Sequence, residues 1–192
     1  MQTLRRPWFV VSVGVIALLA FGATTARAVI EKAVKLADVI HDNTYIFVAK
    51  IEKVLPDKPG MILTATDDLK GKAPFRRLAI NLTGDKEKDT PKLLERVAAD
   101  LPVVMFVVEQ DNKTLLLFVY SNGTWFQVIG SPDGENFRWA FTHCCPELRK
   151  TFKGTTAELR QVVDDALSGK HKPPPLDSKE PPGLGPKVEK SE

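Results

Sequence analysis

Apolar and polar residues alternate with a period of two in several short stretches, which is the pattern of strands that bury one face. In the first stretch, Tyr45, Phe47, Ala49 and Ile51 share a face, so a strand over Tyr45 to Leu55 is expected. Two later stretches are almost entirely apolar, which favours central strands covered on both faces. The pattern predicts six strands, over residues 45–55, 61–66, 75–82, 103–108, 115–120 and 124–129.

Towards residue 169, apolar residues recur at helical intervals and no longer alternate with polar ones. Thr155 and Glu158 have the spacing of a capping box, and the apolar positions that follow recur at helical intervals until Gly169. Thr90 and Pro91 have the residue types that begin a helix between the third and fourth strands. Two shorter helices are expected over residues 31–41, burying Ala33, Ala37 and Ile40, and over residues 146–152.

The order of these elements defines the predicted fold. We expect an α+β domain in which about six strands form an OB-like antiparallel β-barrel or a strongly curved sheet. A helix lies between the third and fourth strands, and two helices follow the last strand.

The first 28 residues have the layout of a secretory signal. Arg5 and Arg6 precede an uncharged apolar stretch, and Ala26-Arg27-Ala28 offers a cleavage site, so a mature chain beginning at Val29 is expected. An uncleaved N-terminal membrane anchor is the alternative, although the apolar run of about 16 residues is short for a membrane span. Both interpretations place the domain outside the cytoplasm, in the periplasm or secreted.

The chain divides into three regions: the signal peptide at 1–28, a single domain at 29–169 and a tail at 170–192. The tail holds six of the fourteen prolines together with charges of both signs. It lacks aromatic residues, so we expect a disordered or polyproline-like segment.

Composition and charge exclude several classes of protein. The chain is 43% hydrophobic and 27% charged, which argues against a wholly disordered or fibrous protein. The formal net charge of +3 comes from the three arginines of residues 1–28, and the remainder is neutral. A neutral chain does not favour a nucleic-acid partner, because such binding usually needs a basic surface.

Two stretches resemble the start of netrin-like/TIMP-like domains. The first is ADVIHDNTYIFVAKIEKV and the second is LKGKAP; together with the strands that follow, the resemblance spans roughly residues 37–130. The matching residues are Ala37, Asp38, Val39, Phe47, Val48, Lys50, Ile51, Leu69, Lys70 and Gly71. The resemblance implies an OB-fold barrel with a binding role. It does not imply metalloproteinase inhibition, because that family uses an N-terminal Cys and this chain has none before Cys144.

His143, Cys144 and Cys145 form a cluster of reactive residue types. Adjacent cysteines form only a strained disulfide, and Pro146 places Cys145 near a helix N-terminus, where a thiol pKa is lowered. The alternatives are buried apolar cysteines, a disulfide, or a thiol-redox or soft-metal site. Too few ligands converge for zinc, so neither a metal nor another cofactor is expected.

Two surfaces are candidates for contact with a partner. Lys70, Lys72, Arg76 and Arg77 form a local basic patch that suits an anionic polymer or lipid headgroup, or is simply a solvated hairpin. Trp125 lies in an aromatic-rich region that serves either as a ligand-stacking surface or as core.

The sequence contains no convergent set of catalytic residues and no phosphate-binding or nucleophile-elbow motif. We therefore expect an exported, non-catalytic binding or structural module whose partner is a protein or another component of the cell envelope. A membrane is involved only if the signal segment stays uncleaved. The alternative function is thiol-redox or soft-metal handling through His143, Cys144 and Cys145.

Overall fold

A computed structural model describes residues 33–55 and 57–189 of the chain. The predicted signal peptide, its cleavage site and the first residues of the predicted domain lie outside the described residues.

Seven strands form a closed barrel around which the chain is organised. Neighbouring strands run in the order β1-β2-β3-β7-β6-β5-β4, and β4 pairs with β1 to close the ring. All pairs are antiparallel except β3 with β7, which are parallel over only two residue pairs. The strands are β1 (Tyr45–Leu55), β2 (Gly60–Lys70), β3 (Arg77–Asn81), β4 (Pro102–Glu109), β5 (Leu115–Ser121), β6 (Thr124–Asp133) and β7 (Asn136–Cys144).

The α+β class and the barrel are confirmed, but the expected strand count was one too low. The missing strand is β7, where Phe137, Trp139 and Phe141 alternate with more polar residues. Asp133-Gly134 precedes it, and an Asp-Gly pair between alternating stretches is a strong hairpin signal. The sequence therefore contained the information for this strand.

Within residues 33–55 and 57–189, three α-helices and two 3-10 helices surround the barrel. They are α1 (Leu36–Asp42), α2 (Thr90–Leu94) and α3 (Thr156–Leu167), with 3-10 helices at Asp111–Lys113 and Pro146–Lys150. The helix between the third and fourth strands is confirmed, as is the capping box of α3. The first of the two predicted C-terminal helices is a 3-10 helix rather than an α-helix.

Helix α1 differs from the predicted helix in both start and buried face. It begins at Leu36 and buries Leu36, Val39 and Ile40, whereas Ala37 is exposed. The larger side chains at spacings of three and four residues bury more apolar area than the alanines would, and this sets the face that packs.

The buried residues form two separate clusters. The first fills the barrel and includes Phe47, Met105, Leu117, Phe126 and Phe141. The second lies between the outer face of the sheet and the helices, and it is called the outer layer below. Its buried members are Leu36, Val39, Ile40, Ile46, Val104, Phe106, Tyr120, Trp125, Cys145, Leu148, Leu159 and Val163.

Residues 170–189 of the tail lie against the domain, which differs from the expectation of a disordered tail. They form no helix or strand, but ion pairs join Glu180 to Arg149 and Lys153 at 2.5 and 2.6 Å. Further along, the Gly185 N–H donates to Thr124 Oγ1 at 3.0 Å. Prolines and glycines prevent regular structure here, and charges of the 3-10 helix and the residues just before α3 hold the segment in place. We call residues 170–189 the C-terminal strap.

Candidate functional site

The basic patch predicted as a contact surface is largely engaged within the domain. The Arg76 guanidinium donates two hydrogen bonds to Asp68 at 2.9 and 2.5 Å, and Arg77 donates two to Glu52 at 2.9 and 3.0 Å. The hydrogen bond from Arg77, together with one from a threonine, lowers the pKa of Glu52 to about 2. These bidentate pairs neutralise two of the four cations in the patch, so its field on a partner is weaker than the sequence suggests.

Lys70 has a structural role rather than a free surface position. Its Nζ donates to the carbonyl oxygens of Ile40 and His41 at 2.8 and 2.7 Å. These carbonyls lie in the last turn of α1, where backbone acceptors lack helical partners and a cation is favourable. Lys70 thus fastens α1 to the end of β2. Lys72 is exposed and belongs to no ion pair within residues 33–55 and 57–189.

Trp125 is buried, so of its two predicted alternatives it is part of the core and not an exposed contact surface. Only 1% of its surface is accessible, and its Nε1 donates to the Phe152 carbonyl oxygen at 3.0 Å. Its ring packs against Phe106 and Tyr120 at centroid distances of 5.6 and 4.7 Å. Trp125 therefore belongs to the outer layer beneath the helices.

The two adjacent cysteines belong to different buried clusters. Cys144 belongs to the barrel interior and is a free thiol, whereas Cys145 belongs to the outer layer. Consecutive residues near the end of a strand point to opposite faces, and this separates the side chains. Burial, with a smaller effect of the Asp89 carboxylate, raises the pKa of Cys144 to about 12, so this thiol is protonated and a poor nucleophile at neutral pH.

His143 does not bring the cysteines into one site. It is half-buried on β7, opposite Gln127 of β6. Across the part of the chain that the structure describes, no group of three or more His, Cys, Asp or Glu side chains is placed to hold a metal ion. The geometry gives the predicted thiol or metal site no support.

A cavity of about 210 Å³ lies in the outer layer, between α1 and the strands beneath it. Trp125 and Leu148 line it and are buried, whereas Val34 is 39% exposed, so the cavity extends from the protein surface towards the sheet. Most of its lining is apolar. The lining residues are Val34, Asp38, Val39, Asp42, Asn43, Val108, Phe118, Trp125, Leu148 and Thr151.

Asn43 is among the lining residues and carries a buried polar atom without a partner in the described residues. The residue is only 6% exposed, and its Nδ2 donates to the Val39 carbonyl oxygen at 2.7 Å. Because a carbonyl oxygen accepts only, this bond fixes which end of the amide is nitrogen. The other end, Oδ1, accepts no hydrogen bond from any residue in the described ranges. A buried acceptor left in this way costs about 1–3 kcal/mol.

Two carboxylates lie at the exposed side of the same cavity. Asp38 and Asp42 are four residues apart on α1, so they share a face of the helix, and both are exposed. Asp42 contacts His41 Nδ1 at 2.8 Å. Asp38 belongs to no ion pair with any residue the structure describes, and the cavity lining contains no basic residue.

The walls of the cavity are fixed by contacts outside it. Lys70 holds one end of α1, and Thr151 Oγ1 donates to the Val34 carbonyl oxygen at 2.6 Å just before the other end. The cavity is therefore bounded by elements that are tied together in the free protein. The sequence did not single out Asn43, Val108, Phe118 or Thr151, because they come together only when α1 and residues 148–151 cover β4 and β5.

A second, larger groove lies where β3 and β7 separate beyond their short parallel pairing. Its volume is about 640 Å³, and Phe75, Phe137 and Trp139 form its aromatic part. Phe75 meets Trp139 edge to face at 4.7 Å, and Trp139 lies over Gly130, where a Cβ would be 2.3 Å from the ring. Within the described residues, this groove has no buried polar atom that lacks a partner, unlike the cavity beneath α1.

Comparison with known proteins identifies no family for this chain. No protein-family model matches the sequence, and no curated protein matches it significantly. Within residues 33–55 and 57–189, none of the helices combines the length and apolar character needed to cross a membrane.

Proposed function

We propose that this chain is an exported, non-catalytic binding module that takes a small ligand into the cavity beneath α1. One observation carries the proposal: an apolar cavity of about 210 Å³ lies beneath α1, between elements that contacts outside the cavity hold together. Concave, mostly apolar cavities with a few polar groups are the usual sites for small ligands. The binding site is then the cavity in the outer layer, which Trp125 lines, and the basic patch contributes little.

An OB-like barrel is part of the same proposal. Two features support it: β1 pairs with both β2 and β4, and α2 lies between β3 and β4. Several residues that resemble netrin-like domains lie on β1 and at the end of β2, where that family would place them. Seven strands exceed the five of a minimal OB-fold, and the extra pairing comes from the successive hairpins that follow β4.

Filling the cavity tests the proposed site directly. Val108 is half-buried on β4 and lines the cavity, so Val108→Phe should occupy it while keeping a residue that suits a strand. We expect saturation-transfer NMR to detect binding of toluene and benzyl alcohol to the natural protein and not to Val108→Phe. Val54→Phe is the matched control, because Val54 is half-buried on β1 and does not line the cavity.

Export is tested separately from binding. N-terminal sequencing of protein from the periplasmic or secreted fraction should begin at Val29. Protein that stays in the cytoplasm with Met1 intact would contradict the proposed export, whereas the result of the cavity experiment would be unaffected.

A further inference from the structure

We infer that the C-terminal strap positions one wall of the cavity beneath α1, so that docking of the strap and binding of a ligand stabilise each other. This inference rests on the proposed function and adds how its site is regulated. It comes from one short stretch of chain, residues 146–153, which contacts the cavity on one side and the strap on the other. We call residues 146–153 the wall segment.

The inner side of the wall segment forms part of the cavity. Leu148 and Thr151 line the cavity, and they are only 6% and 2% exposed. The Thr151 hydroxyl also donates to the carbonyl oxygen of Val34, which lies just before α1 and lines the same cavity. A shift of the wall segment would therefore change the width of the cavity.

The outer side of the wall segment holds the strap through charged side chains. Glu180 of the strap pairs with Arg149 and Lys153, and Asp177 pairs with Lys153 at 3.2 Å. Only 13% of the Glu180 side chain is accessible, so solvent screens its pairs less than it screens fully exposed ones. These pairs therefore hold the strap against the wall segment.

Backbone hydrogen bonds add two further contacts between the strap and the wall segment. The Asp177 N–H donates to the Lys150 carbonyl oxygen at 2.9 Å, and the Gly183 N–H donates to the Pro146 carbonyl oxygen at 3.1 Å. Pro146 and Lys150 are the first and last residues of the 3-10 helix. The strap thus bonds both ends of the helix whose inner side lines the cavity.

The wall segment has little rigidity of its own. A 3-10 helix of five residues has few internal hydrogen bonds, and their geometry is poorer than in an α-helix. Its position therefore depends on what it contacts on each side. A ligand supports the wall segment from the cavity, whereas the strap supports it from outside.

Two binding events that favour the same position of a shared element are coupled, and the coupling has the same size in both directions. We expect a factor of about five, at the lower end of the usual range for coupled sites. The factor is small because Trp125 and Thr151 also hold the wall segment, through hydrogen bonds that do not involve the strap.

Titration of the full chain with benzyl alcohol, followed by NMR, tests the first direction of the coupling. Asp177→Asn with Glu180→Gln removes the charges that hold the strap, and we expect it to weaken benzyl alcohol about fivefold. Asp133→Asn with Glu135→Gln is the matched control. It changes the net charge equally, on a hairpin that contacts neither the cavity nor the strap, so the affinity should be unchanged.

Hydrogen exchange of the natural protein tests the reverse direction and needs no strap variant to fold. Saturating benzyl alcohol should raise the protection of the Asp177 and Gly183 amides about fivefold, although neither residue lines the cavity. In Val108→Phe, whose side chain should fill the cavity, benzyl alcohol should leave the protection of these amides unchanged.

The outcomes separate the coupling from the proposed function. Benzyl alcohol that binds in the cavity with equal affinity to the natural protein and to Asp177→Asn with Glu180→Gln would overturn the coupling, and the cavity would remain a ligand site. Unchanged protection of Asp177 and Gly183 in the ligand-bound natural protein would overturn it as well. Failure of benzyl alcohol to bind the natural protein would overturn the proposed function itself.

Discussion

The barrel interior and the outer layer are both built from buried apolar side chains, but they differ in how completely those side chains fill the space. The interior is filled by side chains from all seven strands, and Phe47, Leu117 and Phe126 have no accessible surface. The outer layer is assembled from helices and loops laid over the sheet. It retains a cavity and a buried acceptor, Asn43 Oδ1, that no described residue satisfies. The interior therefore stabilises the fold, whereas the outer layer has room for a ligand.

The largest loss of stability should come from truncating a side chain of the barrel interior. Phe47→Ala removes a fully buried ring that packs against Phe75 at 5.7 Å, and we expect it to lower the free energy of unfolding by about 3–5 kcal/mol. Urea denaturation followed by circular dichroism measures this loss.

Phe118→Ala provides the matched change in the outer layer. Phe118 is half-buried and already borders a cavity, so its truncation should cost only about 1 kcal/mol while weakening ligand binding. Equal losses of stability for Phe47→Ala and Phe118→Ala would remove the distinction between the two regions.

Trp125→Phe should have an intermediate effect. The substitution keeps an aromatic ring in the outer layer but removes the Nε1 donor that bonds to Phe152, so we expect a loss of about 1–2 kcal/mol in the same denaturation assay. The smaller ring should also enlarge the cavity and strengthen toluene binding. A loss below the error of the assay would mean that this hydrogen bond does not hold the 148–152 segment over the sheet.

The C-terminal strap gives a smaller effect with a close control. A Cβ at Gly185 would lie 2.0 Å from the Asn122 carbonyl oxygen, so Gly185→Ala should displace the strap there and cost about 1 kcal/mol. At Gly183 the nearest atom to an added Cβ is Arg149 Cδ at 3.4 Å, and Gly183→Ala should be nearly neutral. Limited proteolysis should cut the tail of Gly185→Ala faster, and equal rates for both variants would contradict the observed path.

The smallest effect should be the response of the strap to pH. Hydrogen bonds from Lys153 and Arg149 lower the pKa of Glu180, and one from Lys153 lowers that of Asp177. Lowered folded-state values mean that the stabilisation is complete above the ordinary carboxyl pKa values of about 4 and is lost as the pH falls through the folded ones. Once corrected for intrinsic rates, hydrogen exchange of residues 177–188 should not change between pH 7 and 5 on account of these carboxyls. In stronger acid, the amides of these residues should lose their protection.

Glu180→Gln is the control for this response. It should reduce the protection of the strap at neutral pH and remove much of the change in acid. An unchanged acid transition in Glu180→Gln would mean that other carboxyls release the strap.

The fold was largely predictable because its signals are local. Alternation, almost entirely apolar runs and turn residues predicted six of the seven strands, and the spacing of Thr155 and Glu158 predicted the start of α3. The seventh strand carries the same alternation, and the two-residue turn before it is Gly134-Glu135. The tail was not predictable from composition, since its order depends on Arg149 and Lys153, which are more than twenty residues away from their partners.

The site was much less predictable, because its residues have unremarkable neighbours in the sequence. Asn43 is an ordinary residue between a helix and a strand, and its place in the cavity lining follows only from how α1 covers the sheet. The basic patch and the cysteine pair are conspicuous as residue types, but the residues that surround them in the fold are distant in the sequence. Arg77 is neutralised by Glu52, and the two thiols face different clusters.

Mapping benzyl alcohol onto the protein by NMR tests the central claim most directly. Backbone amide shifts during a titration should concentrate at residues 34–43 and near Val108, Phe118 and Leu148. Shifts concentrated instead at Phe75, Phe137 and Trp139 would place binding in the groove between β3 and β7. That result would contradict the assignment of ligand binding to the outer layer.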